Sequence, residues 1–150
     1  MDTPLHRAVE YPLLTLWVGG MWVIGYLAVP ILFATLDDRM LAGMLAGKMF
    51  TAMSYIGLGA GGLLLLLALL KRPRSRWRVR LLLLMLLLVA VGEFVLQPMM
   101  AELKAMGLVE GSDAAARFGI LHGVSSIMYL FNSLGGVALL ILYARIRADG

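Results

Sequence analysis

Four long apolar stretches separated by polar loops organise this chain. They cover about residues 12–33, 49–70, 81–100 and 118–143. A bilayer core about 30 Å thick is crossed by roughly 20 mostly apolar residues rising 1.5 Å each, so each stretch predicts one membrane-spanning helix. The first, second and fourth are free of charge, and Glu93 alone interrupts the third. The first run is longer than the roughly 7–15 apolar residues of a signal-peptide core and lacks a small-residue cleavage site. It is expected to stay as a membrane helix. The pattern predicts an all-α four-helix transmembrane bundle forming a single domain over residues 1–150.

The loops carry their own signals. Asp37 and Asp38 precede Arg39-Met40-Leu41-Ala42-Gly43-Met44-Leu45-Ala46-Gly47-Lys48. That pattern predicts a short interfacial helix, capped by an aspartate, that feeds into the second span. Gly107, Gly111 and Ser112 break the loop between the third and fourth spans, and Asp113 is placed to cap the last helix. Pro30 and Pro98 sit near the outer ends of spans one and three, and each is followed at the same spacing by a phenylalanine, Phe50 and Phe118. Two helical hairpins related by an axis along the membrane normal would give this repeat.

Composition excludes several classes of protein. The chain is 61% hydrophobic and 15% charged, with a mean hydropathy of +0.90. A soluble domain of this size has no means of hiding so much apolar surface, which rules out a soluble enzyme, and disordered chains are poor in such residues. The absence of cysteine removes disulfides, thiolate metal sites, haem attachment through cysteine and cysteine nucleophiles. The net charge of +4 reads as membrane topology. Six of the 13 basic residues, Lys71, Arg72, Arg74, Arg76, Arg78 and Arg80, fill one loop, and Arg7, Arg145 and Arg147 fall on the same side. Basic residues mark the cytoplasmic face. Both termini are therefore expected in the cytoplasm, with the loop set against anionic lipid headgroups and no nucleic-acid partner.

Candidate chemistry lies where polar groups are expensive to keep in lipid. Glu93 is followed at i+4 by Gln97 and at i+7 by Met100 on one helical face. In span four, His122, Ser126, Tyr129, Ser133 and Gly136 recur at helical spacing, with Ser125 and Asn132 beside them. A polar groove between spans three and four follows, with Glu93 and Gln97 facing His122, Ser125, Ser126, Tyr129 and Asn132. Carboxylate and imidazole together suit a proton or a cation. The same groups also serve as an interhelical hydrogen-bonded clamp. Gly57-x-x-x-Gly61 and Gly119-x-x-x-Gly123 suggest close helix approach. Of the 11 methionines, several gather toward the outer face. Thioethers suit soft metals, and His122, Met99 and Met100 are the ligand candidates, yet methionine is equally a gap-filler. His6 and His122 should lie on opposite sides of the membrane, which argues against bis-histidine haem.

The residues also carry a family resemblance. Leu16-Trp17-Val18-Gly19-Gly20-Met21-Trp22 through Pro30-Ile31-Leu32-Phe33, then Ala42-Gly43, Phe50, Pro98 and Phe118-Gly119-Ile120-Leu121-His122-Gly123-Val124-Ser125-Ser126 resemble the transmembrane protein 205-like family. Its bacterial branch is a domain of unknown function, number 4149. The resemblance implies a four-helix bundle in a bacterial inner membrane and assigns no activity. In size and layout the chain is also similar to haem- and copper-handling four-helix bundles. Glu10 and Tyr11 stand where those proteins carry a histidine. Three readings stay open: a groove that binds or moves a small solute, proton or ion, with a homo-oligomer implied; a non-catalytic membrane subunit or assembly factor; and a redox protein holding haem or quinone against Trp17, Trp22 and Tyr26. No cofactor is fixed by the sequence, and an enzyme is the less favoured reading.

Overall fold

A computed structural model describes residues 4–71 and 75–148, with side chains described over 8–71 and 75–144. Among these residues there are helices and no strands. Helix α1 covers residues 4–35, α2 Arg39–Leu70, α3 Arg76–Ala105 and α4 Asp113–Ala148. All four are long and apolar enough to cross a membrane. They pack as an antiparallel ring in which α1 touches α2 and α4, and α3 touches α2 and α4. The start of α1 and the end of α4 therefore lie at the same end of the bundle.

Three of the helices start ahead of their apolar stretches on a side-chain cap in the polar loops. The Asp38 carboxylate accepts from Met40 and Leu41 N–H at 2.8 and 3.1 Å and starts α2. The short interfacial helix expected before the second span is instead the first part of α2, which is unbroken from Arg39 to Leu70. No proline interrupts it, and Ala42 and Ala46 are buried against the bundle, which holds this part upright. Ser75 caps α3 through Arg78 N–H. At α4 the cap is Ser112, whose hydroxyl accepts from Ala115 N–H at 3.2 Å. Asp113, expected to cap, is already the first helical residue. Gly107 and Gly111, at φ +86° and +79°, take left-handed turns that side chains resist.

Wide π-helical turns punctuate α1 and α3, at Thr15–Gly19, Ile24–Ala28 and Gly92–Leu96. The second and third each end just short of a proline, Pro30 or Pro98. Proline lacks an N–H and clashes with the carbonyl one turn back, and a wider turn accommodates both defects. Hydrogen bonds then take the longer π-helical reach, from Val29 N–H to Ile24 O and from Gln97 N–H to Gly92 O. The repeat seen in the sequence is thus a structural one in α1 and α3. Leu14 and Leu82 stand at equal spacing before their prolines, and both are fully buried. The same holds for the next matched pair, Trp17 and Met85. The repeat fades in the second helix of each hairpin. Phe50 lies well inside α2 and meets Tyr129 edge-on at 5.1 Å, whereas Phe118 sits near the start of α4 stacked on His122.

The core is built around Trp17. A Cβ on Gly57 would come 2.5 Å from its Nε1, and one on Gly61 2.5 Å from its Cζ3. The first small-residue pair therefore makes a slot for an indole, and close backbone contact is not its purpose. Leu14, Val18, Met21, Leu64, Leu82, Met85 and Leu139 close the cluster around it. The second pair, Gly119 and Gly123, has nothing within 4 Å of where a Cβ would stand.

Candidate functional site

Glu93 lies in the wide turn Gly92–Leu96 of α3 and is 9% exposed. It belongs to the buried face of α3 that carries Arg78, Leu82, Met85, Leu96 and Met100. Its Oε2 is buried with no hydrogen-bond partner. Position 93 corresponds, by distance to the proline, to Gly25 in α1, and the ring of Tyr129 packs over Gly25. Gln97, one turn beyond Glu93, is half-buried.

The polar residues of α4 divide between two directions. Tyr129 donates its hydroxyl to Met21 O at 2.6 Å, and the Asn132 amide donates to Met21 Sδ at 3.3 Å. A Cβ on Gly136 would come 3.0 Å from Val18. This part of the expected stripe therefore faces α1. The side of α4 that faces α3 is marked by Gly135, where a Cβ would lie 3.2 Å from Met85 Cγ. Ser133 is fully buried and donates to Tyr129 O, one turn back. Asn132 Oδ1 is buried without a hydrogen bond.

Toward the start of α4 the stripe turns to the surface. His122 lies near the surface and stacks on Phe118 at a ring separation of 6.0 Å, while Lys104 stands 5.3 Å from the Phe118 ring centroid. Ser126 is exposed and donates to His122 O at 2.8 Å. Ser125 shares that stretch of the helix. Among the described residues no hydrogen bond or ion pair joins Glu93 to His122, Ser125 or Gln97. Met99 is exposed and Met100 buried. Among the described residues no group of three or more histidine, aspartate or glutamate side chains is placed to hold a metal ion.

A second polar cluster closes the other end of the bundle, with one residue from each helix or its edge. Glu10 of α1 is 2% exposed, and its Oε2 accepts from Lys71 Nζ at 2.8 Å. Arg78 of α3 stands with NH1 3.8 Å from Glu10 Oε1 and its guanidinium carbon 4.0 Å from the Tyr143 ring centroid. Arg78 is only 5% exposed, so it is enclosed by protein, away from the headgroup position read for the basic loop. Arg76 and Arg80 are not enclosed in this way, and Arg80 lies over the exposed Trp77 at 5.8 Å. Arg72 and Arg74 lie outside the described residues. In the sequence Glu10 drew notice only for standing, with Tyr11, where haem- and copper-handling bundles carry a histidine. Its spacing is the signal that could have found it, because Glu10 precedes Pro30 by the same interval as Arg78 precedes Pro98.

Fold and site together define an integral membrane protein of four spanning helices with buried carboxylates at two depths. The chain belongs to the DUF4149 family, a domain of unknown function whose family model matches residues 13–108. The matched stretch contains Glu93 and Gln97 and ends before the Phe118–Ser126 segment of α4. No match was found among curated proteins or among solved structures.

Proposed function

We propose that this protein binds a proton or a small monovalent cation on Glu93 within the membrane. The observation that carries the reading is the buried, unpartnered Oε2 in a wide turn of α3. An ionised carboxylate without a partner is costly inside a bilayer, and intramembrane acidic residues are usually kept for function. A proton or cation on Oε2 removes that cost. Gln97, one turn on, supplies an amide oxygen and nitrogen on the same face. Ser125 would complete the site from α4.

Binding is better supported than passage through the bundle. Between Glu93 and the Glu10 cluster the interior is filled by Leu14, Trp17, Leu82, Met85 and Leu139, each 1% exposed or less. Transport would need these side chains to part. The orientation that fits the exposed basic residues is a cytoplasmic basic end carrying both termini, in a bacterial inner membrane. The finer likeness to transmembrane protein 205 rests on the His122-Gly123-x-Ser125-Ser126 segment, beyond the residues that the family model matches.

Labelling with dicyclohexylcarbodiimide, which attacks protonated carboxyls in apolar surroundings, tests the reading. Mass spectrometry should find the adduct on Glu93, and the variant Glu93→Gln should lose it. Protection by sodium, lithium or potassium would identify a cation, and its absence a proton. An unmodified Glu93, under conditions where other buried carboxyls react, overturns the proposal.

A further inference from the structure

Trp22 and Tyr26 are out of place for aromatic residues of a membrane helix. Both fall near the middle of the uncharged run between Glu10 and Asp37. At 1.5 Å per residue both sit about 16–24 Å from each charged end, near the middle of the bilayer. Tryptophan and tyrosine normally gather at the two interfaces, where the polar tip meets water. Trp77, 72% exposed beside the basic loop, follows that rule. Trp22 and Tyr26 are 38% and 41% exposed. Among the described residues neither the Trp22 indole N–H nor the Tyr26 hydroxyl has a hydrogen-bond partner. Two half-exposed side chains whose donors lack a partner at this depth are unfavourable unless something that accepts hydrogen bonds comes to them.

The rings themselves say what kind of molecule fits. Trp22 and Tyr26 stand 4.7 Å apart and inclined at 37°, and Tyr26 leads to Tyr129 at 6.2 Å, whose far side meets Phe50 at 5.1 Å. The ladder runs from the lipid-facing surface of α1 into the bundle. It is rigid at its inner end, because Tyr129 is tied to Met21 O and rests on Gly25. A plain acyl chain has no use for donors or for flat ring faces. A planar ring bearing carbonyl acceptors, dissolved at the bilayer midplane, uses both.

We propose that the seam between α1 and α4 is a binding site, open to the lipid, for the ring of a membrane quinone. The ring stacks on Trp22 and Tyr26, and one quinone carbonyl accepts from the Tyr26 hydroxyl or the Trp22 N–H. The site shares no residue with Glu93, so each can fail alone.

Tryptophan fluorescence tests it, because a bound quinone quenches an adjacent indole. Full-length protein in nanodiscs is titrated with a decyl-benzoquinone. Wild type should show a saturable quenching component above the linear effect of partitioning. Trp22→Phe should lose that component while Trp17 and Trp77 still emit. Tyr26→Phe, which keeps the Trp22 reporter, should bind about three- to tenfold more weakly, the loss of one hydrogen bond. Glu93→Gln should bind as wild type does. Purely linear quenching, or a saturable component that persists in Trp22→Phe, overturns the site. So does equal binding by the hydroquinone dimethyl ether, whose ring lacks the carbonyls, since the seam would then select only for an apolar ring.

Discussion

Glu10 and Arg78 meet 3.8 Å apart in the interior, at matching positions ahead of the prolines of their own hairpins. Equivalent positions of α1 and α3 thus carry opposite charges and pair with each other. Lys71 adds a second cation to Glu10, and Tyr143 a ring face to Arg78. The arrangement gathers the basic ends of all four helices around one carboxylate, Tyr143 through Arg78.

Breaking this contact from one side should be far worse than removing it whole. Glu10→Gln leaves Arg78 buried without its counter-charge, and such losses run to about 3–5 kcal/mol. Arg78→Met should also destabilise, through the loss of the Tyr143 contact and of one of the two cations beside Glu10, which keeps Lys71. The double variant should be less unstable than the sum of the two, by about 1–3 kcal/mol. Unfolding in detergent, followed by circular dichroism for all four proteins, measures the coupling. Strict additivity would mean that the approach of the two charges carries no energy.

At the α1–α4 seam a hydrogen bond and a packing contact are separable. Tyr129→Phe removes only the hydroxyl bonded to Met21 O, which in membrane proteins is worth about 0.6 kcal/mol on average. Gly25→Ala forces a methyl group into the Tyr129 ring, and overpacking of that kind costs about 1–3 kcal/mol. The glycine variant should therefore be the less stable of the two. Adding Tyr129→Ala to Gly25→Ala should recover part of the loss. If Gly25→Ala unfolds like wild type, the ring does not rest where the structure puts it.

Much of this fold could be read from the chain because hydropathy summed over a whole helix decides membrane insertion, and Asp38 acts locally as a cap. The repeat was legible in Pro30 and Pro98, and the wide turns show its physical basis in α1 and α3, but the matching spacing of Phe50 and Phe118 does not carry into the second helices. Other features depend on rotation about a helix axis, which hydropathy does not resolve. The stripe through His122, Ser126 and Tyr129 has helical spacing, but spacing does not say which neighbour it faces. Tyr129 and Asn132 meet α1, while among the described residues no hydrogen bond or ion pair joins His122 or Ser126 to Glu93. Arg78 could not be told from the other five basic residues of its loop without knowing that Glu10 lies across from it. Glu93 stood out in the sequence and stands out in the structure for the same reason: it is a charge at a depth where charge needs a partner.

The two glycine pairs should respond differently to alanine. Gly57→Ala and Gly61→Ala collide with Trp17 and should each destabilise by about 1–3 kcal/mol. Gly119→Ala and Gly123→Ala enter open space, so they should leave a single chain unchanged or slightly stabilised, by up to about 1 kcal/mol, through better helix propensity. Thermal unfolding of the four variants orders them. A loss at Gly119 or Gly123 that grows with protein concentration would instead reveal a second helix packed on that face, and so an oligomer.

The natural absence of cysteine makes the orientation directly testable. Arg76 lies at the basic end and Glu110 is exposed in the loop between α3 and α4, so single cysteines there report opposite faces without disturbing the core. With the basic end in the cytoplasm, Glu110→Cys should react in intact cells with a membrane-impermeant maleimide. Arg76→Cys should react only once the membrane is permeabilised. Replacing one of six basic residues in the loop leaves most of the charge asymmetry that sets topology, so the variant itself should not invert the protein. Labelling of Arg76→Cys in intact cells, with Glu110→Cys protected, would place the Glu10–Arg78 pair on the outer face and Glu93 nearer the cytoplasm.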